Sequence, residues 1–207
     1  MSQFFQIHPE NPQQRLAKRA AEMIRDGAVV VYPTDSAYAL GCHLGDRKAL
    51  DRIMALRAVD KHHNFPLMCR DLSELGTYAK VDNSMFRLLK ANTPGAYTFV
   101  LPGTGEVPKR LLHEKRKSIG LRIPDNAIAL AILQELGEPL LTSTLILAGE
   151  TEPLNDPYDI RDRLEHQVDL IIDGGYCGLQ PTTVVDLRDG APVILREGAG
   201  SVAALGL

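Results

Sequence analysis

Residues 29–41 read Val-Val-Val-Tyr-Pro-Thr-Asp-Ser-Ala-Tyr-Ala-Leu-Gly, and the fold turns on how this stretch is understood. Ala28 to Tyr32 is an apolar run with the make-up of a buried strand. Pro33 stops it, because proline has no N–H to give a central ladder. Thr34, Asp35 and Ser36 follow at once, then Tyr38 and a flexible Gly41. A strand that ends in hydroxyls, a carboxylate and a phenol is how an α/β sheet presents chemistry at its carboxyl edge. The competing reading is a plain strand-to-helix turn, with Asp35 or Ser36 capping the next helix.

Outward from this stretch, helical and extended patterns alternate. Phe4, Phe5 and Ile7 suggest an edge strand, and Asn11-Pro12 a helix cap with proline at the first helical position. Leu16, Ala20, Met23 and Ile24 recur at helical spacing up to Gly27. Asp46 opens a second helix with Leu50, Ile53 and Met54 on its apolar face. Further helices are expected over 71–78, 84–90, 126–136 and 159–166, with residues 148–157 as loop. Strands are expected over 66–69, 97–101, 119–123, 170–172, 183–187 and 193–195, and Leu140 and Leu141 lead into a polar strand edge at Thr142-Ser143-Thr144. The last two strands form a hairpin through Asp189-Gly190. This mixture predicts a single α/β domain over 1–207, with a mixed parallel and antiparallel sheet.

The totals narrow the function. The chain has 207 residues, 44% hydrophobic and 24% charged, with a formal charge of −3. That balance predicts neither a general nucleic-acid binder nor an acidic tail, so any such binding must come from a local patch. Three widely spaced cysteines, Cys42, Cys69 and Cys177, fit reduced thiols in a cytoplasmic protein. No signal peptide and no membrane span are expected. No Gly-Lys-Ser/Thr phosphate loop and no Gly-x-Gly-x-x-Gly is present. Tryptophan is absent and aromatics are 5%, which disfavours base-stacking platforms.

Three strand ends turn polar: Thr34-Asp35-Ser36, Thr142-Ser143-Thr144 and Pro181-Thr182-Thr183. Side by side, their hydroxyls would converge in one cleft, with Arg57, Lys61, Arg122 and Arg196 as the supply of cations for phosphates or carboxylates. Arg122 lies inside an apolar strand pattern, which is costly without a partner or ligand; otherwise it points to solvent. Arg196 is either a ligand or half of a surface pair with Glu197. The segment holding Lys109, Arg110, Lys115, Arg116 and Lys117 is a solvated face or a nucleic-acid or phosphate contact. His62-His63 is weak evidence for a metal, and no structural metal is expected.

These residues carry a resemblance. Tyr32-Pro-Thr-Asp-Ser-Ala-Tyr-Ala-Leu-Gly41, Pro66-Leu67, Pro94-Gly-Ala-Tyr-Thr98, Gly120-Leu-Arg-Ile-Pro124, Thr142-Ser143, Thr183-Val-Val-Asp186 and Leu195-Arg-Glu-Gly198 together resemble the YrdC/YciO family. The resemblance spans nearly the whole chain. It implies a twisted mixed sheet flanked by helices with a concave, basic groove. It also implies a relation to threonylcarbamoyl-AMP synthases, which join ATP, L-threonine and bicarbonate into threonylcarbamoyl-adenylate and pyrophosphate for tRNA modification. The family is also associated with double-stranded RNA binding. Carried over, Thr34 and Tyr38 would line the threonine end. Arg122, Ser143 and Arg196 would contact ATP or its phosphates, taken with Mg²⁺, and Thr183 would lie on the nucleotide side. Asp35, Ser36, Thr142 and Thr182 would join them as substrate- or nucleotide-binding residues. The chain departs from the synthase pattern twice. No Lys-x-Arg precedes Pro66-Leu67, leaving Arg57 or Lys61 as substitutes, and Leu145 follows Thr144 where Ser-x-Asn would place an asparagine. The expectation is a weak or altered synthase. Its rivals are an RNA-binding protein without chemistry and a carbamoyl or adenylyl transferase acting on another small substrate.

Overall fold

The computed structural model describes residues 1–206. In chain order the elements are β1 (Gln3–Gln6), α1 (Gln14–Arg25), β2 (Val30–Tyr32), β3 (Ala39–His43), α2 (Arg47–Arg57) and β4 (Leu67–Met68). There follow α3 (Leu72–Tyr78), α4 (Asn83–Asn92), β5 (Tyr97–Pro102), β6 (Ser118–Arg122), α5 (Ala127–Leu136) and β7 (Leu140–Thr144). The chain closes with α6 (Pro157–Leu164), β8 (Leu170–Asp173), β9 (Thr183–Asp186) and β10 (Val193–Arg196). All the strands join one sheet, in the order β1-β8-β2-β3-β7-β4-β6-β5-β9-β10. Pairing is parallel at β1/β8, β2/β8, β4/β6 and β5/β9, and antiparallel elsewhere. The mixed sheet predicted from the alternation of elements is present.

The opening stretch is a hairpin. Val30 pairs with Gly41 and Tyr32 with Ala39. The strand-to-helix reading is therefore corrected: neither Asp35 nor Ser36 caps a helix. The cap of α2 is Asp46, whose carboxylate accepts the Ala49 N–H at 2.9 Å. A glycine is needed in this hairpin. A Cβ on Gly41 would stand 2.7 Å from the Tyr32 ring and 2.9 Å from Leu140. Two helix starts also differ from expectation. Helix α1 begins at Gln14, beyond Asn11-Pro12, and the side chain of its N-cap Gln13 makes no capping hydrogen bond. Helix α6 begins at Pro157, because Asp156 caps it, and ends at Leu164.

Alternation along the strands splits the interior into two cores. Val29, Val31, Leu40, Ile171 and Leu141 join α2, α3, α4 and α6 on one face. Val30, Tyr32, Leu170, Ile172 and Leu140 join α1 and α5 on the other. Both faces of β8 and β2 are thus buried, which explains their near-continuous apolar runs. The second layer is shorter than the sheet. At β5, β6 and β9, Phe99, Leu101, Ile119, Leu121 and Val185 still face the first core. Their alternates Thr98, Val100, Gly120, Arg122 and Val184 line a cavity instead.

Candidate functional site

The cavity has a volume of about 460 Å³ and occupies the face that α1 and α5 leave bare. Strands β5, β6, β7 and β9 form its floor, the 62–66 loop one wall and the end of β10 another. Arg57, Arg116, Arg122, Arg188 and Arg196 line it, and among the described residues no aspartate or glutamate does.

Two of these arginines are engaged with carboxylates. Arg122 is 4% exposed and forms an ion pair with Asp35. Its Nη1 also donates to Ser36 Oγ at 3.4 Å, while its buried Nε has no partner. The solvent-facing alternative for Arg122 is therefore overturned. Asp35 Oδ2 accepts the Asp125 N–H at 3.0 Å, which ties the hairpin turn to the approach to α5. Arg188 is held by Asp186, and that contact keeps the Asp186 carboxyl below the usual carboxylate range.

The other cations lack such compensation. Arg57, the last residue of α2, donates through Nη1 to Ser143 Oγ at 2.6 Å and to His63 Nε2 at 3.1 Å. Arg196 donates to the Thr182 carbonyl at 2.9 Å, and the alternative of a surface pair with Glu197 is not found among the described residues. Among the described residues neither arginine has a carboxylate within ion-pair distance. Burial pushes the Arg57 guanidinium below its ordinary pKa, and repulsion from Arg196 adds to it. His63 is pushed down in turn, by burial first and then by Arg57. Arginines and hydroxyls thus share the lining of this hollow, with no aspartate or glutamate among the described residues.

The structure brings Arg57, Arg122, Thr142, Ser143, Thr182 and Arg196 to this one cavity. Asp35 and Ser36 reach it through Arg122. Thr34 and Tyr38 lie outside its lining, and their hydroxyls are spent on the local fold. Thr34 Oγ1 accepts the Ser36 and Ala37 N–H groups, each at 3.2 Å, and donates to the Ala37 carbonyl at 2.6 Å. Tyr38 Oη donates to the Gly175 carbonyl at 2.7 Å and accepts the Gly174 N–H at 3.2 Å. Thr183 is fully buried and donates to the Gly200 carbonyl. Thr142 shares a 2.6 Å hydrogen bond with the Tyr32 hydroxyl.

Lys61 belongs elsewhere. With Arg47, Lys109, Arg110, Lys115 and Lys117 it lines a second hollow of about 850 Å³ next to the first, in which Asp51 and Glu114 are the carboxylates. Arg116 faces the first cavity. His63, Thr98 and His113 line the first cavity too; the sequence offered His63 only as weak metal evidence and Thr98 only inside a family motif, and did not mark His113. The adjacency of His63 to the Arg57 segment was the one available signal. Among the described residues no cluster of three or more His, Cys, Asp or Glu could hold a metal ion, and no helix is long and apolar enough to cross a membrane.

Comparison with known proteins places this geometry. The Sua5/YciO/YrdC family model, described as "Telomere recombination", matches residues 22–198. The chain is 61% identical to YciO of Escherichia coli over 98% of both proteins. The crystal structure of that protein superposes with a TM-score of 0.94, covering 99% of this chain and all of that one. A threonylcarbamoyl-AMP synthase of Chromobacterium violaceum is 31% identical over 88% of this chain and 94% of its own length. The crystal structure of P. abyssi Sua5 complexed with L-threonine matches with a TM-score of 0.85 at 26% identity, over 94% of this chain and 57% of that longer one. With the mixed sheet, the hairpin turn and the arginine-lined cavity in hand, the conclusion is plain: the chain belongs to the Sua5/YciO/YrdC family.

Proposed function

We propose that the cavity binds ATP through its phosphates and that the chain carries out adenylyl transfer of the threonylcarbamoyl-AMP type, at a rate below that of the standard synthases. The observation that carries this reading is the pair Arg57 and Arg196, which face a 460 Å³ hollow without a counter-ion. The threonylcarbamoyl-AMP synthase among its relatives and the L-threonine complex of Sua5 supply the substrate class.

The reaction asks little covalent chemistry of the protein. A carboxylate oxygen of N-carboxy-threonine, formed from threonine and bicarbonate, attacks the α-phosphorus of ATP. The bond from that phosphorus to the bridging oxygen breaks, and pyrophosphate leaves with its electron pair. What the protein supplies is position and charge. Arg57, braced on Ser143, and Arg196, braced on Thr182, meet the negative charge that grows on the departing phosphates. Arg122 adds positive charge from the floor, held in place by Asp35. Among the described residues no carboxylate lines the cavity, so Mg²⁺ would travel on the phosphates and water, its usual mode with nucleotides. The lower rate follows from Lys61, which lines only the neighbouring hollow, and from Leu145, a buried apolar residue where the synthases place an asparagine.

Purified protein incubated with ATP, threonine and bicarbonate tests this. Pyrophosphate release should require all three and fall about 10- to 100-fold in Arg57→Ala, the loss of one charged hydrogen bond. Release that ignores threonine and bicarbonate, or that survives the substitution, sinks the reading.

The second hollow favours one further reading, contact with structured RNA. Six cations surround it against two carboxylates, and it opens beside the first cavity. Binding there by phosphate contacts would weaken steeply with salt, and Lys115→Ala with Lys117→Ala would flatten the salt slope by about two. Affinity that ignores both salt and the substitutions would rule it out.

A further inference from the structure

His63 sits where the two hollows meet, and its surroundings give it more than a packing role. A guanidinium can only donate, so the Arg57 contact makes Nε2 of His63 the acceptor. The ring is therefore neutral, with its proton on Nδ1. Three charged groups face it. Arg57 reaches it from α2, Arg196 from β10, and Asp60 from its own loop. The His63 N–H donates to the Asp60 carbonyl at 3.1 Å, and the ring stands edge-on to Phe65 with centroids 4.8 Å apart. His62, His113 and Arg116 line the same cavity. Two arginines repel a proton on this ring, and one exposed aspartate opposes them. A polyphosphate placed among Arg57, Arg196 and His63 reverses that balance, because its charge offsets both guanidiniums and its oxygens stand against the ring as acceptors.

Resting on the ATP reading above, we infer that His63 is a proton-coupled ligand of the bound phosphates: neutral and accepting from Arg57 in the free protein, protonated and donating to a phosphate oxygen in the complex. The proton comes from solvent, and no bond other than N–H is made. The switch frees Arg57 Nη1 from His63, so that Arg57 and His63 both turn toward the ligand. Nucleotide binding thereby takes up a proton and tightens as pH falls.

The histidine ring nitrogens, followed by NMR during pH titrations with and without ATP, test the inference. His63 is assigned from the resonance lost in His63→Gln, whose side chain keeps the acceptor and cannot be protonated. In free protein the spectrum should show the Nδ1–H tautomer. With saturating ATP the His63 midpoint should rise by about one pH unit or more, equivalent to a tenfold coupling, while His8 and His166, outside both hollows, stay put. His63→Lys, permanently charged, should hold at pH 8 the affinity that the wild type reaches at pH 6. ATP that binds without moving His63 overturns the inference and leaves the ATP reading standing. ATP that fails to bind, with no amide shifts at Gly120 or Ser143, overturns both.

Discussion

At the scale of single residues, some arginines of the cavity are paired with carboxylates and others have no such partner among the described residues. Arg122 belongs to the first group. Its pair with Asp35 is buried on both sides, so Asp35→Ala should cost about 3–5 kcal/mol, the penalty of stranding a buried charge. Urea unfolding would measure this, and a loss below about 1 kcal/mol would contradict the pairing. Arg57 and Ser143 should behave as one unit. Each alanine substitution should weaken ATP binding, and the double variant should be little worse than Arg57→Ala alone, because Ser143 acts by orienting Arg57. Arg122 was legible from sequence, since an arginine inside Ile119-Gly-Leu-Arg-Ile123 demands a partner. Its partner was not, because Asp35 lies 87 residues away. His63 stood out in the sequence only as weak metal evidence, and its contact with Arg57 was illegible for a similar reason. It reaches Arg57 because the chain reverses after α2 at Ala58, whose φ is 50°, and alanine carries no local sign of that turn.

At the scale of elements, the helices were the readable part and the second strand of the opening hairpin was not. Helices α3 and α5 begin where Asp71 and Asn126 announce them, each accepting the N–H three residues on. Strand β3 gives no such signal. Ala39 to Cys42 are buried throughout, so the alternation that marks a half-exposed strand is absent. The hairpin rests on Gly41, and Gly41→Val should cost about 1–3 kcal/mol by forcing Tyr32 and Leu140 apart. Thermal or urea unfolding checks this, and an unchanged midpoint would refute the close packing. Helix α3 carries the opposite case. Glu74 is buried, and desolvation raises its carboxyl above the ordinary value. A raised folded-state pKa means stability that is full in acid and lost as pH rises through it. Glu74→Gln, which keeps the oxygen that accepts the Arg70 N–H, should therefore gain stability at pH 7 relative to wild type. The gain should vanish below about pH 4, near the unfolded carboxyl's own pKa. A variant less stable than wild type at pH 7 would reverse the sign and the explanation.

At the scale of the whole molecule, function follows from a mismatch of lengths. One sheet of ten strands is covered along one face by four helices and along the other by α1 and α5 alone. The uncovered part of that second face is where Thr98, Gly120, Arg122 and Val184 meet the arm ending in Arg196. Class and mixed pairing could be read from the order of helical and extended patterns. The strand order, with β7 between β3 and β4, could not, since it is fixed by long-range packing that no local pattern encodes. For the same reason the three polar strand ends looked equivalent in sequence. In the fold Thr142-Ser143 and Thr182 border the cavity, whereas Thr34 closes its own turn. The central claim is that the carboxylate-free arginines make this face a phosphate site. Calorimetric titration of ATP into the wild type and into Arg57→Ala/Arg196→Ala tests it most directly. The account predicts one site per chain, weakened more than tenfold in the double variant; an absence of binding, or an affinity that the two substitutions leave unchanged, would contradict it.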